Sequence, residues 1–128
     1  MYPDDVKYTQ EHEWVRDEED VFTVGITSYA AEQMGDITYV ELPEVGRVVK
    51  KGDPVAVVES VQAANDVYAP VSGRIVAINE DLEDHPECVN ESPYDDGWFF
   101  QLDEIRKSEF RSLMDAAAYE KMIGELGE

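Results

Sequence analysis

Val48-Val49-Lys50-Lys51-Gly52-Asp53-Pro54-Val55-Ala56-Val57-Val58-Glu59-Ser60-Val61-Gln62-Ala63-Ala64-Asn65-Asp66-Val67-Tyr68-Ala69-Pro70-Val71-Ser72-Gly73-Arg74-Ile75-Val76-Ala77-Ile78 is the stretch that decides the fold. Val48-Val49 and Val55 to Val58 bracket Lys50-Lys51-Gly52-Asp53, a tight turn with a glycine available for positive φ. Glu59 to Asn65 interrupts the strand pattern, and Val67-Tyr68-Ala69 resumes it. Pro70-Val71-Ser72-Gly73 makes another turn before Arg74 to Ile78. The order is strand, Gly turn, strand, polar tip, strand, Gly turn, strand, two halves related about Gln62. Such a pattern closes into a flattened barrel or sandwich, so the expected class is mainly β.

Working toward the N-terminus, Ile37 to Leu42 reads as a strand stopped by Pro43. Thr27 or Ser28 can cap a short helix that runs through Met34, and Gly35 can end it in the left-handed conformation. His12 to Arg16 and Val21 to Ile26 flank the polar run Asp17-Glu18-Glu19-Asp20 and predict a hairpin. Toward the C-terminus, Asn79 to Gly97 is a long acidic loop with Pro86 and Pro93, of the kind that forms a functional or covering flap. Trp98 to Leu102 is a last strand. Ser108 is a candidate cap for a short helical turn, and Asp115 caps Ala116 to Leu126. Tyr119, Met122, Ile123 and Leu126 recur at i, i+3, i+4 and i+7, one buried stripe that would pack this helix onto the barrel. No linker interrupts the chain, so residues 1–128 are expected to form a single domain.

Composition narrows the function. Two Trp, seven Tyr and four Phe within a 43% hydrophobic chain supply a core, while 30 acidic against 10 basic residues give a net charge of -20. That charge argues against nucleic acid and anionic membranes, which are bound through Lys/Arg patches. It fits a monomer that meets partners in steered, reversible encounters. Cys88 is the only cysteine, which points to a reducing compartment. Met1 to Asp5 is acidic and has no apolar signal region. A cytoplasmic address is expected for a bacterial source, and the mitochondrial matrix for a mature eukaryotic form.

Enzyme chemistry finds little support. His12 and His85 are the only histidines, and neither stands in a zinc-ligand spacing with Cys88. His85-Pro86-Glu87-Cys88 is better read as a loop cluster than as a metal or nucleophile site. Neither a phosphate-cradling Gly-rich loop nor a Gly-x-Ser-x-Gly elbow is present. The tip is different. An ordinary two-residue hairpin turn calls for Asn-Gly or Gly-X, and Glu59-Ser60-Val61-Gln62-Ala63-Ala64-Asn65-Asp66 has neither. A small, polar, projecting turn flanked by acidic residues is what a modifying enzyme needs to reach one side chain.

Val57 to Gly73 resembles the lipoylation segment of glycine cleavage H proteins, whose pattern is Glu-Ser-Val-Lys-Ala. Other segments agree: Tyr8-Thr9 with Glu11-His12-Glu13-Trp14-Val15, Val24-Gly25-Ile26-Thr27, Gly35-Asp36-Ile37, Val40-Glu41-Leu42-Pro43, Val89-Asn90, Ser92-Pro93-Tyr94 and Gly97-Trp98. The resemblance spans essentially the whole chain and implies the sandwich–barrel hybrid of lipoyl domains, with a short helix in the N-terminal half and helices at the C-terminal end. It also implies a non-catalytic carrier in glycine catabolism whose lipoyl arm, joined to the lysine, shuttles an aminomethyl group. The implied partners are glycine decarboxylase (P protein), aminomethyltransferase (T protein), dihydrolipoamide dehydrogenase (L protein) and a lipoyl ligase or transferase. Glu59, Ser60, Val61, Ala63 and Asp66 correspond to the tip the modifying enzyme recognises. His12, Glu13 and Asp66 correspond to the cleft that receives the loaded arm. From the residues alone, Glu13 and Asp66 read as surface charge, because carboxylates are seldom buried.

One position departs from the pattern: Gln62 stands where the lysine is expected. Amide formation needs an amine on a long stem, whereas glutamine ends in an uncharged carboxamide with a delocalised nitrogen lone pair. Lys50 and Lys51 lie at the far end of the strand leading to the tip, roughly 20–30 Å away at about 3.3 Å per residue. Lipoate, the family cofactor, therefore has no attachment point at Gln62. A biotin carrier also needs a tip lysine, and 2-oxoacid dehydrogenase lipoyl domains lack the His12-Glu13-Trp14 opening and the Trp98–Leu126 tail. Two expectations remain: an H protein with its lysine substituted, or a natural non-lipoylated paralogue serving as an interaction or regulatory module.

Overall fold

The computed structural model describes residues 2–127. Five strands precede the tip or lead to it: β1 (Lys7–Tyr8), β2 (Glu13–Asp17), β3 (Phe22–Ile26), β4 (Ile37–Glu41) and β5 (Val48–Val49). The hairpin strands β6 (Pro54–Ser60) and β7 (Ala64–Tyr68) follow, then β8 (Gly73–Ile78) and β9 (Phe100–Asp103). Helices are α1 (Ser28–Met34), α2 (Asp81–Asp84), α3 (Cys88–Glu91), α4 (Lys107–Arg111) and α5 (Ala116–Leu126). The strands form one sheet in the order β1-β2-β3-β9-β8-β5 and another in the order β4-β6-β7. All pairings are antiparallel and one buried cluster draws on both sheets, from Val15, Val24 and Ile75 to Val40, Val58 and Val67. This is the mainly β sandwich form of a flattened barrel.

The symmetry about Gln62 is realised in the pairing. The inner strands β6 and β7 pair with each other, and the outer strands β5 and β8 pair in the other sheet. The two turns therefore carry the chain across from sheet to sheet. Gly52 takes a φ of 91° in the first turn, and its N–H donates to Ala69 O at 2.8 Å while Ala69 N–H donates to Asp53 O at 2.8 Å. The crossings thereby brace each other.

Local signals are obeyed where their hydrogen bonds are local. Thr27 caps α1, accepting from Ala30 N–H at 3.2 Å, and Asp115 caps α5, accepting from Ala118 N–H at 2.9 Å. Gly35 ends α1 at positive φ (80°), but with ψ of -155° it turns the chain into β4 and does not take the left-handed helical conformation. Strand β2 starts one residue later than His12, whose φ of 72° cannot continue a strand.

Four further expectations are corrected. The tip is only Val61, Gln62 and Ala63, because Glu59 and Ala64 already pair in the hairpin ladder. The loop from Asn79 to Gly97 contains α2 and α3, single turns pinned to the core by fully buried Leu82 and Val89. Ser108 lies inside α4 instead of capping it; the cap position is Arg106, and Glu109 turns away to accept from Ser72 N–H at 2.7 Å and Ser72 Oγ at 3.2 Å. On α5 the stripe fades from buried Tyr119, through half-buried Met122 and Ile123, to Leu126, 57% exposed, because the small cluster of Val6, Tyr8 and Trp14 beneath it reaches only as far as Ile123.

Candidate functional site

The tip is held by its own backbone and one hydroxyl. Ser60 N–H donates to Ala63 O at 2.8 Å, and Ser60 Oγ accepts from Gln62 N–H at 3.3 Å and Ala63 N–H at 3.2 Å. Such a serine-centred turn uses side-chain oxygen in place of a backbone partner, so no glycine is needed. Val61 is left 88% exposed. The Gln62 carboxamide reaches over the end of α1, with Nε2 3.7 Å from where a Cβ on Gly35 would stand.

Beside the tip lies a cleft of about 410 Å³, whose walls include Ala63, Met34, Tyr29 and the three predicted residues His12, Glu13 and Asp66. The fold thus brings together residues from the first loop, β2, α1 and β7. Ala63 continues the cleft to the tip. Asp66 is exposed at the rim, on β7 opposite Val57. Glu59 and Ser60, predicted for the modifying enzyme, end β6 and are half-buried.

Glu13 is not the surface charge its type suggests. It is 2% exposed, with Oε1 accepting from Thr9 Oγ1 at 2.6 Å and Oε2 accepting from Tyr68 N–H at 3.2 Å. Burial pushes its carboxyl up to about 7, the Thr9 and Tyr68 hydrogen bonds pull the other way, and Glu11 adds a small upward push. The group is thus poised near neutral pH, where an ammonium placed beside it would draw it into the ionised form. Thr9 escaped the sequence reading. Its signal was the spacing: Thr9 Oγ1 accepts from both Glu11 N–H and Glu13 N–H, closing the loop that aims Glu13 inward.

His12 is half-buried, its Nδ1 2.8 Å from the Tyr119 hydroxyl. Burial pushes its pKa down, with Glu11 opposing. Tyr119 was legible as a core residue of α5 but not as a neighbour of the cleft, because the two residues are 107 positions apart in sequence.

Asn90 latches the acidic segment to the α1–β4 junction, accepting from Ile37 N–H and donating to Gly35 O, each at 2.9 Å. The His85–Cys88 cluster stays outside the site: His85 Nδ1 lies 3.2 Å from Glu87 Oε1 at the surface, and burial with acidic neighbours pushes the Cys88 thiol up, away from the reactive thiolate. Among the described residues no group of three or more His, Cys, Asp or Glu is arranged for a metal. No helix there is long and apolar enough to cross a membrane. Lys50 and Lys51 stand at the Gly52 turn, at the opposite end of β6 from the tip.

The family described as Glycine cleavage H-protein matches residues 6–126. A glycine cleavage system H protein from Laribacter hongkongensis is 56% identical, covering 95% of this chain and 97% of its own. One from Idiomarina loihiensis is 56% identical with 96% of each covered, and one from Listeria monocytogenes is 49% identical with 94% and 97% covered. The crystal structure of a glycine cleavage system H protein from Mycobacterium marinum superposes with a TM-score of 0.86 at 35% identity, covering 95% of this chain and 98% of that one.

Proposed function

The chain belongs to the glycine cleavage H-protein family, and from that premise we propose that it is a lipoyl-carrier scaffold whose attachment position is held by Gln62, so that in this form it carries no lipoate. The family carries lipoate and works with the enzymes of the glycine cleavage system as a carrier, without being a catalyst itself. The proposed partners are glycine decarboxylase, aminomethyltransferase, dihydrolipoamide dehydrogenase and the lipoyl ligase or transferase that acts at the tip. The proposed role of the cleft is to hold an aminomethyl cargo, with Glu13 and Asp66 facing its amine.

The observation that carries this reading is the shared cleft: Ala63, next to the attachment position, lines the same cavity as Glu13 and Asp66. The residues at the tip do not fit a covalently joined lipoate. Gln62 offers a carboxamide and not an amine, and Lys50 and Lys51 lie beyond reach at the other end of β6. The Ser60 turn is nonetheless intact and presents position 62 outward.

The test is Gln62→Lys incubated with a lipoyl ligase and lipoate, read by intact mass. One lipoyl group is expected on the variant and none on the parent chain. An unmodified variant would sink the carrier reading of the tip, and a modified parent would sink the assignment of position 62.

A second reading is favoured by the same intact turn around Gln62: an unlipoylated module that still binds the system's enzymes. Co-sedimentation of the parent chain with glycine decarboxylase or aminomethyltransferase is its expected signature, and no association with either removes it.

A further inference from the structure

The wall of the cleft at His12 is tied to the far end of the chain. His12 lies between two backbone anchors, its N–H donating to Thr9 O at 3.2 Å and its carbonyl accepting from Thr27 N–H at 3.0 Å. Its ring rests against Tyr29, centroids 4.9 Å apart. The φ of 72° is strained for a residue with a side chain, and it is this backbone that sends the ring toward α5. There Tyr119 is fully buried and stacked on Tyr8 at 4.5 Å and 8°. Its hydroxyl sits 2.8 Å from His12 Nδ1 and 2.8 Å from Thr27 Oγ1.

The direction of the hydrogens in this chain follows from counting donors. Thr27 is fully buried, and its Oγ1 already accepts from Ala30 N–H. Among the described residues, the one acceptor within reach of its hydroxyl hydrogen is Tyr119 Oη. If that bond is used, the acceptor left for the Tyr119 hydroxyl hydrogen is Nδ1, which then carries no hydrogen; an Nδ1–H donating to the same oxygen would leave the phenol hydrogen unpaired. The reverse order would have Nδ1–H donate to Tyr119 and Tyr119 donate to Thr27, leaving a buried Thr27 hydroxyl hydrogen without an acceptor, a loss of roughly 1–3 kcal/mol. Burial also pushes the Tyr119 phenol up, so it keeps its proton.

We propose that Tyr119 is a positioning residue that, with Thr27, holds His12 as the neutral tautomer protonated on Nε2, giving the cleft one uncharged hydrogen-bond donor beside the carboxyls of Glu13 and Asp66. Nε2 has no partner among the described residues, and no buried side-chain nitrogen or oxygen there is without one. Nε2 is therefore open to solvent on a ring that lines the cleft. The groups facing the ring are Glu11 beside it, Glu13 from β2, Asp66 across the cleft on β7, Tyr29 from α1 and Tyr119 from α5. Charged, the imidazole would compete with a cationic ligand for the two carboxyls; neutral, it adds a donor and leaves them free. The cleft so built takes a ligand that joins a cationic amine to a hydrogen-bond acceptor. This rests on the reading that the cleft receives the carrier's cargo, and it makes α5 part of the cleft without touching what is bound.

Nitrogen-15 NMR of the histidine rings in the full chain tests it without any ligand, so its outcome is independent of the lipoylation experiment. His12 is expected to show a protonated Nε2 and an unprotonated Nδ1 at neutral pH, and to titrate below an ordinary imidazole. Tyr119→Phe keeps the stacked ring and removes the hydroxyl; it is expected to mix the two tautomers and shift the His12 midpoint. Thr27→Ser retains the hydroxyl and is expected to preserve the tautomer. An Nδ1-protonated or charged His12 in the parent overturns the proposal, as does a Tyr119→Phe variant with the tautomer unchanged.

Discussion

Ala63 at the tip and Glu13 at the cleft floor border one cavity, yet the tip of Val61, Gln62 and Ala63 and the floor are secured in different ways. The tip hangs on the Ser60 hydroxyl and one backbone bond, with Val61 almost fully in solvent. The floor is a buried carboxyl held by Thr9 and the backbone of Tyr68, next in sequence to Trp14, which is itself fully buried. At the tip, side-chain identity can change at almost no cost to folding, so function and stability are uncoupled there. At the floor the same atoms serve both. A glutamine in place of an amine at position 62 therefore leaves the fold intact, whereas a change at Glu13 also alters stability and its dependence on pH.

The comparison breaks most visibly at Trp14. Its indole N–H reaches both Ile26 O and Pro93 O at 3.0 Å. Gly25 sits under the ring so closely that a Cβ there would lie 2.6 Å from Trp14 Cζ2. Trp14→Ala is expected to cost about 3–5 kcal/mol in chemical denaturation, because the cavity cannot close and two carbonyls lose their donor. A loss no larger than that of a surface substitution would show that the floor is not the rigid region described.

Glu13→Gln probes the same region through pH. The folded carboxyl titrates at about 7 against 4.5 as its ordinary value, so between those values the folded chain holds more of the proton than the unfolded one. Stability from this group is full below about pH 4.5 and is lost as pH rises through 7, a change on the order of 3 kcal/mol. Glu13→Gln can keep an acceptor toward Tyr68 N–H without ionising, so it is expected to flatten this decline and to be the more stable form at pH 8. Parallel stability–pH curves for parent and variant would contradict the buried, poised carboxyl.

What the sequence revealed follows the range of the forces involved. The caps at Thr27 and Asp115, the positive φ of Gly52 and the strand alternation around the tip depend on neighbours a few residues away, and all were legible. The membership of His12, Glu13 and Asp66 in one cleft was legible only through family resemblance. The burial of Glu13 was not legible, since it depends on Tyr68, 55 residues distant. Nor was the Tyr119 contact with His12. The helical turns at Asp81–Asp84 and Cys88–Glu91 were also missed, because Leu82 and Val89 are held by the core across the fold and not by any local helical period.

The smallest effect is expected at Val61, and it bears most directly on the tip. Val61→Ser removes an exposed side chain with no role in the turn's hydrogen bonds, so stability should change by no more than about 0.5 kcal/mol. Placed in the Gln62→Lys background, the same substitution should slow lipoyl addition by the ligase, since Val61 is the most exposed apolar surface of the tip. A slowed ligase with an unmoved denaturation curve means the tip is read by a partner and not by its own fold. An unslowed ligase would confine recognition to Glu59, Ser60, Ala63 and Asp66, and a shifted curve would mean that the tip, like the floor, is held by packing.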